Sequence, residues 1–172
     1  MNILVAGHLL AIVLAAAALW DMRREYSERA ASRLRWALAP ALAAGTAALL
    51  LIVSPGKRPE LWMISIAVGF VAGLGAGAIM QGEKDFGQNL VRSYRTWDGL
   101  GAAALILILA VVRFVTTDLM HRPSGGYGVL GAAAAFLAAL LVGRVIMLHL
   151  YAAPKFTHYD MEPGQKRYRM SD

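Results

Sequence analysis

An all-α fold, a polytopic bundle of five transmembrane helices, is what this sequence predicts, and three observations carry that reading. Five apolar segments, at 3–20, 37–53, 61–80, 99–117 and 127–151, approach the roughly 20 residues that cross the hydrocarbon core at about 1.5 Å per residue. The polar connections between them alternate between rich and poor in Lys and Arg. The composition, 58% hydrophobic and 16% charged over 172 residues, is too apolar for a water-soluble domain of this size. A soluble reading would need five consecutive helices with almost no polar face, whereas globular helices are shorter and carry a polar side.

The first segment carries no Lys or Arg before its apolar run, and its charges follow it at Arg23 and Arg24. That pattern marks a retained span inserted with its N-terminus outward rather than a cleaved signal peptide. Span two has Pro40 in its first turn, where a missing amide donor costs little, and stops at Ser54-Pro55-Gly56. The link to span three is so short that spans two and three are expected to form an antiparallel helical hairpin. Span three carries Gly69, Gly73 and Gly77 at four-residue intervals, with Gly75 beside them. This small-xxx-small spacing predicts a helix-packing face, with a second span of the same chain favoured over another subunit as its partner.

The polar stretch 81–98, with Phe86-Gly87-Gln88-Asn89 before Leu90-Val91-Arg92-Ser93, suits a small surface hairpin, with a short amphipathic helix as the alternative. Residues 1–153 thus form one five-span bundle without an internal repeat, and residues 154–172 form a basic tail expected to be mobile in isolation. Trp20, Trp36, Trp62 and Trp97 stand near span ends, as interfacial anchors do.

Charge sets the orientation. The loops 21–36 and 81–98 and the tail hold 12 Lys and Arg, against 3 (Lys57, Arg58, Arg122) on the other side. The excess belongs in the cytoplasm, which puts the N-terminus outside and the C-terminus inside. The net charge of +6 does not indicate nucleic acid, because the basic residues sit at segment ends rather than in one patch. Membrane lipids and other membrane-protein subunits are the expected partners.

Several functions are disfavoured. The chain has no cysteine, so it carries no disulfide, thiolate metal site or thiol redox chemistry. No nucleophile–base pairing, phosphate-cradling glycine loop or metal-binding cluster is present, and no catalytic, cofactor-binding or metal-ligating residue is assigned. All eleven acids, Asp118 among them, fall at or beyond the span ends on this reading, leaving no carboxylate at depth for a proton relay. His8 lies about five residues into span one and His149 about 22 into span five, on the order of 25 Å apart in height, too far to share one haem iron. His8 is expected to hydrogen-bond a neighbouring helix. Arg113 and Arg144 fall inside spans four and five, where they either snorkel or contact a lipid phosphate or acidic partner; Arg144 is the deeper.

From Gly69 onward the order of features resembles the CcdC-like small bacterial membrane proteins: a glycine-rich span, a loop carrying Gly87 and Arg92, a span closing on Arg113, and a last span carrying Gly143-Arg144. The resemblance implies a multi-pass protein of the bacterial cytoplasmic (inner) membrane, associated by name with cytochrome biogenesis. With no cysteine, no residue here can act in the thiol chemistry of that pathway. The expectation is a non-enzymatic accessory, assembly or structural subunit of a larger respiratory, photosynthetic or cytochrome-biogenesis complex, packed through the span-three glycine face. A free-standing binder or transporter of a lipid or small amphiphile, with Arg144 on its headgroup, is the alternative.

Overall fold

The apolar segments become five helices in the computed structural model, which describes residues 3–26, 31–53, 59–80, 82–85, 90–93, 97–120, 127–151 and 153–155. They are α1 (Ile3–Tyr26), α2 (Arg33–Ile52), α3 (Pro59–Ile79), α4 (Asp98–Phe114) and α5 (Tyr127–Tyr151). A π turn, Val115–Leu119, prolongs α4. All five are long and apolar enough to cross a membrane, and the fourth candidate span runs through the π turn, from Asp98 to Leu119. The chain is a multi-pass membrane protein.

Four of the helices close a ring. α1 packs on α2 and α4, and α5 packs on the same two from the opposite side. The buried residues of α1 are His8, Ala11, Ala15, Ala18 and Met22, spaced by three and four so that they line one stripe. α2 answers with Trp36, Ala39, Ala43, Thr46, Ala47 and Leu50. Alanine dominates both stripes, and these small side chains let backbones approach and gain dispersion contacts where lipid removes any hydrophobic drive to associate. Thr46 sits in this seam, its hydroxyl donating to the Leu42 carbonyl at 3.0 Å and reaching toward that of Ala11 at 3.5 Å.

The fifth helix stands outside the ring. α3 packs chiefly on α5, and the expected hairpin with α2 is corrected: the two are neighbours in sequence but share no substantial seam. Steric fit is the reason. A Cβ built on Gly69, Gly73 or Gly77 would collide with the backbone at Phe136, Leu140 or Arg144, and one on Gly143 would lie 2.5 Å from the Phe70 carbonyl oxygen. Gly69, Gly73 and Gly77 meet positions that also advance by four, so α3 and α5 run parallel. The alanine stripe of α2 is already covered by α1 and α5.

At one end of the bundle the connections pair as a small sheet of β1 (Ala31–Ser32), β2 (Gly82–Asp85), β3 (Leu90–Ser93) and β4 (Ala153–Lys155), in the order β1-β3-β2-β4. β2 and β3 form the antiparallel hairpin, Gly82 opposite Ser93 and Asp85 opposite Leu90, so the 81–98 stretch takes the hairpin rather than the amphipathic helix. β4 joins β2 in parallel, with Glu83 opposite Ala153. The α1–α2 connection, the α3–α4 connection and the start of the tail therefore share one end, here called the sheet end. Beyond β4 the tail lies outside the described residues.

Candidate functional site

Buried polar side chains cluster at the two ends of the bundle. At the end remote from the sheet, α1 places His8 on its alanine stripe, 1% exposed. Its Nδ1 donates to Asp118 Oδ2 at 2.7 Å, in a pair whose carboxylate side chain is 12% exposed. His8 Nε2 is enclosed with no hydrogen-bond partner among the described residues.

Asp118 reaches this place through the π turn. The buried stripe of α4, Ala103, Ile106, Ala110 and Arg113, would continue at residue 117 in an α-helix. The wider turn, closed by the Met120 amide on the Val115 carbonyl at 3.0 Å, adds one residue and brings position 118 onto the stripe instead. Thr116 shares its hydroxyl with the carbonyls of Val112 (2.8 Å) and Arg113 (3.2 Å), so backbone oxygens in this altered segment are engaged.

The expectation that every acid lies outside the spans is corrected at four positions, Asp21, Glu60, Asp98 and Asp118, all of them at span ends; at Asp118 the helical segment runs about two residues further than hydropathy alone indicated. His8 does bond a neighbouring helix, through a carboxylate. His121, the other histidine near this end in sequence, lies outside the described residues.

Arg113 belongs to the same corner. It is 1% exposed, and its Nη2 donates to the Val53 carbonyl at 3.3 Å, just past the end of α2. A helix C-terminus presents carbonyls without intrahelical donors and a partial negative charge, which a guanidinium answers on both counts. Val53 also lies against Gly7, so α1, α2 and α4 meet around one guanidinium and one His–Asp pair.

Toward the sheet end, Arg144 is likewise 1% exposed and its Nε donates to Met80 Sδ at 2.7 Å. Met80, Trp36, Val145 and Leu148 form a separate apolar cluster around it. Arg113 and Arg144, expected as lipid or acidic-partner contacts, both lie on the buried faces of α4 and α5 and are 1% exposed. His149 turns back on its own helix, Nδ1 donating to the Val145 carbonyl at 2.7 Å.

The tryptophans divide. Trp20 and Trp97 are exposed, 72% and 61%, and Arg23 stacks over the Trp20 ring at 5.0 Å, an arrangement suited to an interface where ring and cation both meet headgroups. Trp36, 6% exposed, is corrected from anchor to core residue, since the first turn of α2 points it at α5 rather than outward. Trp62 is half-buried with its Nε1 enclosed.

Sequence reasoning missed the His8–Asp118 pair. One signal was available: His8 opens the stripe 8-11-15-18-22. Asp118, five residues after Arg113, reveals nothing until the π turn is known. Among the described residues no group of three or more His, Cys, Asp or Glu could hold a metal ion. No protein-family model, curated protein or solved structure matches the chain.

Proposed function

We propose that this chain is a non-enzymatic accessory, assembly or structural subunit that binds a helix of a larger membrane complex through the outward face of α3. One observation supports the reading above others. α3 is held on one side only, and on its opposite side Gly75 has open space around it and is flanked by exposed Ala72 and Ala78. Ile64, Val68, Val71 and Ile79 border this shallow strip. A foreign helix can approach the α3 backbone at Gly75, where no Cβ stands in the way.

The glycine face named by the sequence is not the docking face, because α5 occupies it. The rival reading, a free-standing binder of lipid or amphiphile, depended on an accessible Arg144, and that side chain is enclosed. Respiratory, photosynthetic and cytochrome-assembly complexes of the bacterial cytoplasmic membrane are the proposed setting, with the N-terminus outside as the charge distribution requires.

Extraction from native membranes in a mild detergent, followed by mass spectrometry of a defined complex, tests the proposal. A stoichiometric partner is expected with the wild-type chain and is expected to be lost with Gly75→Leu, whose helical signal and melting stay as in wild type. Migration of the wild-type chain alone would refute the subunit reading. Retention of the partner by Gly75→Leu would move the docking face away from α3.

A further inference from the structure

We infer that the His8–Asp118 pair is a proton-operated latch: protonation of Asp118 releases the first turns of α1 from the π turn, while the rest of the bundle stays assembled. The local packing makes this end of α1 depend on the pair. Ile3 and Leu4 are exposed at 84% and 45%, residues 5–7 are half-buried, and His8 is the first fully buried side chain of the helix. Inward of it the seam is Ala11, Ala15 and Ala18. Alanines permit close approach but each contributes few contacts, so little besides the hydrogen bond holds the terminal turns.

The sign follows from the groups that face His8. From the π turn this is Asp118; Arg113 on α4 is directed to the Val53 carbonyl beside Gly7, and the described end of α2, Thr46–Val53, carries no titratable side chain. Lys57, Arg58, His121 and Arg122, in the links at this end, lie outside the described residues. With Asp118 ionised, its carboxylate accepts from Nδ1–H whether the imidazole is neutral or cationic, so the pair persists as pH rises. With Asp118 protonated, the anionic acceptor is gone. An imidazolium would then sit buried with no facing carboxylate among the described residues, and a neutral imidazole would hold only an uncharged partner. Acid therefore opens the latch and alkali does not. Asp118 lies one residue from the end of the fourth candidate span, and the π turn that positions it is the kind of helix irregularity that recurs at functional sites.

The absence of native cysteine makes the test direct. Ile3→Cys with Met120→Cys, both at exposed positions, takes two nitroxide labels on the full chain in lipid nanodiscs, and pulsed electron–electron resonance reads their separation. At about pH 7.5 a single narrow distribution is expected; on stepwise acidification a second and longer population is expected that reverts on return. Asp118→Asn is expected to show the longer population at every pH. Identical wild-type distributions throughout the acidification would overturn the latch, and this result needs no variant. So would a pH response that survives Asp118→Asn, which would place the sensing group elsewhere. Loss of the helical circular-dichroism signal along with the shift would also overturn it, by showing general unfolding.

Discussion

Single atoms decide much of this bundle, and the glycines of α3 show how. Gly69, Gly73 and Gly77 lie where any Cβ would meet α5 backbone, whereas Gly75, on the same helix, meets nothing within 4 Å. The same substitution should therefore have opposite outcomes two residues apart. Gly73→Leu is expected to force α3 off α5 and to lower stability toward the upper end of the about 1–3 kcal/mol typical of overpacking, read as a reduced midpoint in detergent-titrated unfolding. Gly75→Leu is expected to leave that midpoint unchanged. Spacing alone marked Gly69, Gly73 and Gly77 as a packing face, and α5 backbone lies against all three. It could not say that a second glycine on the opposite side would stand clear, because that depends on which helix arrives. The buried arginines make the same point: a guanidinium inside a span is visible in sequence, but whether it faces lipid or an orphan carbonyl such as Val53 depends on neighbours about 60 residues away.

At the scale of elements, the π turn and the sheet are the two devices that hydropathy does not encode. The π turn behaves as a one-residue insertion that keeps position 118 on the buried stripe of α4. Deleting Thr117 should restore a regular α-helix with the aspartate still opposite His8, leaving the unfolding free energy within about 1 kcal/mol of wild type. Deleting Leu107 should instead turn Ala110, Arg113 and Asp118 by about 100° and abolish assembly. Equal damage from both deletions, measured by thermal melting, would contradict this account.

In the sheet, β4 protects one edge of β2. A chain ending at Tyr151 should raise amide hydrogen exchange by about tenfold or more at the β2 amides that face β4, within Gly82–Asp85, while the β2–β3 hairpin remains. Hydrogen-exchange mass spectrometry reads both. The hairpin itself was legible, because two short runs flank a loop with Gly and Asn. The addition of β1 and β4 was not, because edge pairings of two and three residues arise from where five helix ends converge.

For the whole molecule, the organising fact is a ring of four helices with α3 docked outside it. Two connections and the start of the tail meet in one sheet at one end, as alternating spans require, and the excess of Lys and Arg there is the basis for expecting that end in the cytoplasm. Cysteines placed singly at Lys57 and Ser124 are expected to react with an impermeant thiol reagent in intact cells, and cysteines at Ala31, Gln88 and Gln165 are expected to stay unreacted. The reverse pattern would invert the molecule and place the His8–Asp118 latch on the cytoplasmic side.

The sequence by itself determined the five spans, their alternation across the membrane and the existence of a close-packed glycine face. Those features follow from backbone satisfaction, hydrocarbon thickness and residue size, all of them local properties of the chain. Tertiary structure alone decided that α3 joins α5 instead of α2, that Trp36 and both arginines face inward, and that His8 meets Asp118. Lipid is as apolar as the helix faces, so hydrophobicity does not rank one helix partner above another; that choice falls to steric fit and to a few buried hydrogen bonds, which exist only once the helices are together.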